Sequence, residues 1–226
     1  MVTKSGFHIV RLADLPWEDR VNVDGWPSRG GMYYTDPDTT LCLRLIDYFK
    51  GAIEPRHVHP GSHAATVLKN TVIVDGQTLE PLDIILGPSG EPHGPLHYPD
   101  GCNLFSAFLG SYHHSEVQEM APEKRYRLIE AAKIPWETDA TDGHEIKTLV
   151  DHGLGPLLEQ VVRYPARAKV AAHSYPKFQS ALVIEGSAVI DDQKLGIWDL
   201  FYVLPGVARG DVSFPEGATL LMVTMR

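Results

Sequence analysis

Apolar and β-branched residues fall in short runs broken by turn residues, not in the three-and-four spacing of amphipathic helices. The segments TVLKNTVIV (66–74) and LVIEGSAVI (182–190) read as strands with a central turn pair, Lys69-Asn70 and Glu185-Gly186, which is a hairpin pattern. TDPDTT (35–40) and DHGLGP (151–156) each separate two strand-like runs, and LGPSGEPHGP (86–95) is too rich in glycine and proline for anything but a shaped loop. EVQEMAPEKRYRLIEAA (116–132) is the least strand-like stretch and admits either a short helix or an extended crossover. Many short strands with little helix predict an all-β sandwich or barrel.

The pattern occurs twice. At an offset of 116, HAATVLKNTVIVDGQTL (63–79) lies over QSALVIEGSAVIDDQKL (179–195), HYPDGCNLFSAF (97–108) over SFPEGATLLMVT (213–224), and LCLRLIDY (41–48) over LLEQVVRY (157–164). LPWE at 15–18 matches IPWE at 134–137 at an offset of 119. Similarity held in register over such lengths indicates duplication. The expected organisation is two similar β-domains, residues 1–118 and 119–226, within a chain of 226.

Composition narrows the function classes. Hydrophobic residues make up 43% and charged residues 22%, ordinary globular values, while 20 glycines and 17 prolines fit a turn-rich chain. The formal net charge of −9 disfavours nucleic acid and anionic membrane surfaces as partners. No apolar run approaches a membrane span, and the first residues show no apolar core followed by a cleavage site. Two cysteines, Cys42 and Cys102, make neither a CxxC pair nor a disulfide framework, so a cytoplasmic location is expected.

The eleven histidines are the chemical signal. His57 and His59 form an HxH pair whose side chains share one face of a strand. His63 follows just past the Pro60-Gly61 turn, and His93 lies in the PSGEPHGP loop. A strand pair of histidines joined by others from neighbouring strands is how a β-barrel assembles a metal site, and imidazole suits Fe(II), Zn, Ni, Cu and Mn. His97 reads as a surface residue, and His8, His113, His114, His144 and His152 as solvated. Glu54, Asp83 and Glu91 are candidates to orient the ligands, and Tyr33, Tyr34, Phe105 and Phe108 read as core.

At this point the sequence resembles the cupin superfamily. Gly51, five residues, His57-x-His59, His63 and Asn70 follow its first motif, with histidine where glutamate is usual and asparagine where glycine is usual. Pro88-x-Gly90-x-x-His93 follows the second. Trp26-Pro27, HVHPGSH, VLKN and PSGEPHGPLHYPDGCNLF are similar to the ChrR-like cupin domains, which include the cupin part of an anti-sigma factor and relatives such as acetylacetone-cleaving dioxygenases. The resemblance implies two tandem jelly-roll-like cupin barrels and one divalent transition metal, Fe(II) or Zn foremost, with Ni, Mn or Cu as other options. His57, His59 and His93 match the family's metal-binding histidines, and His63 takes the carboxylate's place. Four neutral imidazoles would leave the metal its full charge, so a small anionic ligand or substrate is expected.

The second copy has His173, Tyr175, Gln179 and Arg209 at the matching positions. Arginine is no ordinary ligand, so no metal is expected there. A structural partner barrel or an anion pocket built on His173 and Arg209 remain as readings. Two functions follow: a dioxygenase-like enzyme acting on a small enolisable compound, or a non-catalytic ChrR-like zinc-binding sensory or regulatory module. The chain carries no HxxxCxxC pattern of the kind that would bind a sigma factor. Monomer and homodimer are both compatible with two barrels in one chain.

Overall fold

The computed structural model describes residues 7–21, 27–117, 119, 125–140, 143–151 and 155–226. Trp26 and His152 lie outside the described residues. The described residues form short strands and two single 3-10 turns, Leu12–Asp14 and Ala131–Lys133. Among the described residues, no helix is long and apolar enough to cross a membrane.

Two compact units carry the same topology. In one, spanning Pro16–Lys133, a seven-stranded sheet runs in the order Arg127–Ile129, Ile84–Gly87, Ser62–Asn70, Cys102–Leu109, Leu41–Tyr48, Pro27–Thr35, Trp17–Val21. Beside it stands a four-stranded sheet, Ala52–Glu54, Leu96–Tyr98, Val72–Val74, Gln77–Leu79, and a two-stranded ribbon joins Ser115–Glu116 to His57–Val58. The other unit, Met1–Leu15 with Ile134–Arg226, repeats the seven- and four-stranded sheets, while its two-stranded ribbon joins His173–Ser174 to Ala208–Arg209, the counterpart of the His57–His93 bridge. In each unit the core joins residues of the large and small sheets. Val67, Ile85 and Leu104 pack with Val72, Leu79 and Tyr98 in the first, and Val183, Phe201 and Leu220 with Ile190, Leu195 and Phe214 in the second. Two antiparallel sheets face each other over an apolar layer, as a jelly roll requires.

The units do not divide at 118/119 as expected, because each copy's first strand pairs with the other copy's sheet. Phe7–Val10 adds to Leu200–Val203, and Arg127–Ile129 adds to Ile84–Gly87. These strands are sequence equivalents: FHIV lies 119 residues before YRLI, the offset already seen for LPWE and IPWE. One aspartate fastens each. Asp199 accepts the Leu12 N–H at 2.9 Å and the Gly196 N–H at 2.9 Å, and Asp83 accepts the Ala131 N–H at 2.8 Å and the Glu80 N–H at 2.8 Å. Asp83 is therefore a strand clamp and not an orienter of the histidines.

The hairpin expected at 66–74 is a sheet-to-sheet corner. Val72–Val74 pairs with Gln77–Leu79 and Leu96–Tyr98, not with Ser62–Asn70. Asn70 (φ 59°) and its counterpart Gly186 (φ 69°) adopt the left-handed conformation that turns the chain from one sheet into the other. Asparagine can replace the family's glycine there because its short polar side chain tolerates this region. In the 116–132 connector the described residues are extended, with strands Ser115–Glu116 and Arg127–Ile129 ahead of one 3-10 turn.

The exchanged N-terminal strand should be structural. Phe7 is fully buried against Phe201 and Val203. Phe7→Ala is expected to cost about 3–5 kcal/mol in urea unfolding of the C-terminal unit. A loss under ~1 kcal/mol would mean that the strand is dispensable.

Candidate metal centre

The site follows from strand alternation. On Leu41–Tyr48 the side chains of Arg44, Ile46 and Tyr48 face a cavity of about 620 Å³, and on Cys102–Leu109 those of Leu104, Ser106 and Phe108 do. His63 and Ala65 join them from Ser62–Asn70. His57, His59 and His93 converge on the same cavity, and all three are buried. His57 and His93 are locked together by reciprocal backbone hydrogen bonds, each 3.0 Å. The PSGEPHG loop is tied to the HxH segment by Gly90 N–H to the His59 carbonyl (2.9 Å) and Ser89 Oγ to the Pro60 carbonyl (2.6 Å). Thus the backbone, not the side chains, fixes the separation of the three rings.

Each of these rings has one nitrogen on a carbonyl. His57 Nδ1 lies 2.7 Å from the Pro55 oxygen, His59 Nδ1 3.1 Å from that of Tyr112, and His93 Nδ1 3.2 Å from that of Glu91. A carbonyl only accepts, so the network assigns the proton to Nδ1 in all three and leaves each Nε2 a lone pair. His57 Nε2 and His59 Nε2 are 3.1 Å apart, and ligand atoms of His57, His59 and His93 all lie within 4.8 Å of one another. Two bonds of about 2.1 Å to one ion, at angles between square and tetrahedral, would place nitrogens about 3.0–3.4 Å apart. Two facing lone pairs repel unless a cation lies between them, so the donor set fits a divalent transition metal. Burial pushes the His93 ring down to about 4, with the neighbouring His57 ring adding to the effect. Burial also depresses His59 and His63, followed by like charge from their histidine neighbours. Neutral rings are the form that a metal binds.

His63 stands beside this group. Its ring centroid is 4.8 Å from that of His59 and 4.9 Å from that of His93, and it stacks on Phe108 at 5.0 Å. Its Nδ1 is buried with no hydrogen-bond partner. Across the ladder it faces Gly87, where any Cβ would overlap the imidazole. Gly87 is thus a space for a ring, visible in the sequence only as one more glycine.

The other expectations divide. His114, expected in solvent, is exposed yet holds its ring 5.0 Å from that of His57 and lines the cavity. His113 is exposed, and its carbonyl lies 3.3 Å from His59 Nδ1. His97 is half-buried on the small sheet, His8 stacks on Tyr202 and His144 lies near Tyr164. Glu91 is buried and gives both oxygens to Arg125, to its N–H at 2.7 Å and its Nε at 2.9 Å. Only the Glu91 carbonyl serves a histidine. Tyr33 and Phe105 are core, while Phe108 belongs to the cavity wall.

With histidine at position 63, the carboxylate beside the cluster comes from Glu54. Its Oε2 accepts hydrogen bonds from the Tyr48 hydroxyl (2.8 Å) and the Tyr98 hydroxyl (3.1 Å), and its Oε1 is 4.0 Å from His57 Nε2. Burial works to raise the Glu54 carboxyl, but the His57 and His114 imidazoles beside it and the Tyr48 hydrogen bond overcome it, so Glu54 stays below its ordinary value. A carboxylate three residues before an HxH pair, on a strand alternating toward the same cavity, was the available signal.

In the C-terminal unit His173 and Arg209 are cross-strand partners, and Arg209 Nη2 lies 2.9 Å from His173 Nδ1, which is also 3.0 Å from the Ala171 carbonyl. The two groups expected to share an anion thus lie against each other. Among the described residues, the His57, His59 and His93 group is the one cluster suited to a metal.

No protein-family model matches the chain, and no curated protein matches it in sequence. Solved structures do resemble it. A Nostoc punctiforme protein carrying a provisional dioxygenase name shares 12% identity at a TM-score of 0.84, over 99% of this chain and 84% of that one. The Streptomyces albus enzyme HEPD, solved with 2-hydroxyethylphosphonate and Fe(II), shares 10% at 0.74, over 99% and 76%. Lactobacillus farciminis oxalate decarboxylase, in a formate complex, shares 12% at 0.70, over 96% and 86%. At such identities the likeness shows the fold alone: the chain has the cupin fold along nearly its whole length, and its three-histidine cluster fits a metal-binding member of it.

Proposed function

We propose that this chain is a mononuclear metal protein, holding one Fe(II) or Zn(II) through His57, His59 and His93 with His63 beside them, and that it acts in a dioxygenase-like manner on a small enolisable compound. The observation that carries this reading is the 3.1 Å approach of two Nε2 atoms whose partner nitrogens are both committed to carbonyls. The names of similar structures, with their oxalate decarboxylase, formate and hydroxyethylphosphonate, support a small ligand. A bound divalent metal supplies Lewis-acid and redox chemistry at its open coordination positions.

The protein's own part is positional and protonic. Glu54 Oε1 faces the cavity beside His57 Nε2, while the two tyrosine hydroxyls hold Oε2 and keep the carboxylate from turning. Such a carboxylate takes the proton from the carbon next to a substrate carbonyl: the C–H bond breaks, the proton goes to Oε1, and the electron pair moves onto the substrate's oxygen. Phe108 and Leu104 give the cavity an apolar wall that limits water around the reacting carbon.

One observation favours a second reading. The unpartnered, buried Nδ1 of His63 could close the coordination sphere as a fourth imidazole. A filled four-imidazole zinc site would suit a ChrR-like regulatory module better than an enzyme. Cobalt(II)-substituted protein separates the two. Weak visible absorption that changes on adding acetylacetone marks an open site, and intense tetrahedral absorption indifferent to it marks a closed one.

Two outcomes are expected. Metal analysis of protein purified from cells should give one metal ion per chain in wild type and about a tenth of that or less in His57→Ala; equal content in both would refute the assignment. In oxygen-uptake assays with iron-loaded protein and β-diketones or hydroxy-ketones, Glu54→Gln should lower kcat about a hundredfold at unchanged metal content. No uptake by fully loaded wild type with any such compound would remove the enzymatic reading.

A further inference from the structure

Arg44 is the least explained charge in the molecule. It sits mid-strand in LCLRLIDY, is 3% exposed, and faces the cavity that His57, His59 and His93 line. Its guanidinium makes no ion pair or hydrogen bond among the described residues. The contact it does make is with the face of Tyr112, 4.2 Å from the ring centroid. Space is reserved for it: a Cβ on Gly30 would come within 2.6 Å of Arg44 Nη2. A second cation, Arg20, lines the same cavity and lies 5.3 Å from the same Tyr112 ring. Among the described residues, Arg20 pairs with Glu18, at 3.7 Å and mostly exposed. The cavity's own acids leave Arg44 unpaired: Glu54 is bound by tyrosines, Asp19 is exposed, and Glu116 Oε1 has no hydrogen-bond partner.

A buried guanidinium stripped of water and set beside another of like charge is costly, and one cation–π contact does not offset that cost. Burial, then the charge of Arg20, lowers the affinity of Arg44 for its proton, which shows the same imbalance. The fold does not demand the arginine. The C-terminal copy has Gln160 at this position, bonded to Thr148 at 3.0 Å. Among the described residues no carboxylate balances Arg44, which leaves that place to a group that arrives with the ligand.

Tyr112 joins the two halves of the cavity. Its ring lies under Arg44 and its carbonyl anchors His59. Ser106, opposite Arg44 in the ladder, adds a hydroxyl to the same wall. From this juxtaposition we infer that Arg44, with Arg20, forms an anion subsite beside the histidine cluster, so that the substrate is a small enolisable acid whose carboxylate binds Arg44 while its carbonyl end faces the histidines. The inference rests on the metal-site reading above and names its substrate class.

Acetoacetate and acetylacetone test it, since they have nearly the same size and differ in charge. Calorimetry on zinc-loaded protein, which cannot turn over, should show wild type binding acetoacetate at least about tenfold more tightly than acetylacetone. Arg44→Gln should remove that preference, weakening acetoacetate about tenfold or more and acetylacetone less than about threefold, with zinc content unchanged. Arg44→Lys should restore part of it. Equal acetoacetate affinity in wild type and Arg44→Gln, or a wild-type preference for acetylacetone, overturns the subsite. If Arg44→Gln does not fold, Arg20→Gln serves instead, with an expected loss of about threefold for acetoacetate that added salt reproduces in wild type; no loss overturns the subsite. Should wild type bind no zinc, the metal reading fails by itself. Thermal stabilisation of metal-free wild type by acetoacetate, absent in Arg44→Gln, then still supports the subsite, and equal or no stabilisation overturns it.

Discussion

Three backbone carbonyls govern the chemistry of this protein. By accepting hydrogen bonds from Nδ1 of His57, His59 and His93, the oxygens of Pro55, Tyr112 and Glu91 leave each Nε2 a lone pair, and those of His57 and His59 meet at 3.1 Å. The carbonyls belong to separate segments, so the tautomers hold only while the His57–His93 bridge and the 108–114 segment keep their places. The site is thus a property of the sheet edges. Side-chain packing refines it, as Phe108 does for His63 and Gly87 does by its missing Cβ.

The two copies share a framework on which different side chains can be set. The sheets, the left-handed corners at Asn70 and Gly186 and the aspartate clamps at Asp83 and Asp199 are the shared framework. None of these elements needs the histidines. The C-terminal copy keeps the cross-strand position of His57 and His93 as His173 and Arg209, whose side chains lie 2.9 Å apart. The framework is stable with either filling, so the chemistry of the cavity is free to differ between copies.

Much of this was legible in the residues. HxH on a strand must point two imidazoles the same way, and Pro88-x-Gly90-x-x-His93 marks a loop that returns to them. The repeat at 116 exposed the second barrel before any coordinate did. What stayed hidden depended on long-range register. TVLKNTVIV has the composition of a hairpin, and only its pairing with Leu96–Tyr98 shows a corner. The exchange of Phe7–Val10 and Arg127–Ile129 misplaces any boundary drawn from the repeat, because a strand does not state which sheet it joins. Glu54 was legible as a candidate from its nearness to His57, whereas Arg44 was not singled out; that Arg44 faces Tyr112 across the cavity follows from the folded register. His114 is exposed as its polar segment suggests, and only the folded register shows that it also lies against His57.

The most direct test of the account is an anomalous difference map from crystals of the native or zinc-loaded protein, collected at the metal's absorption edge. The account predicts one strong peak per chain, about 2.0–2.2 Å from Nε2 of His57, His59 and His93. No peak there, or a peak against His173 and Arg209 instead, would contradict it.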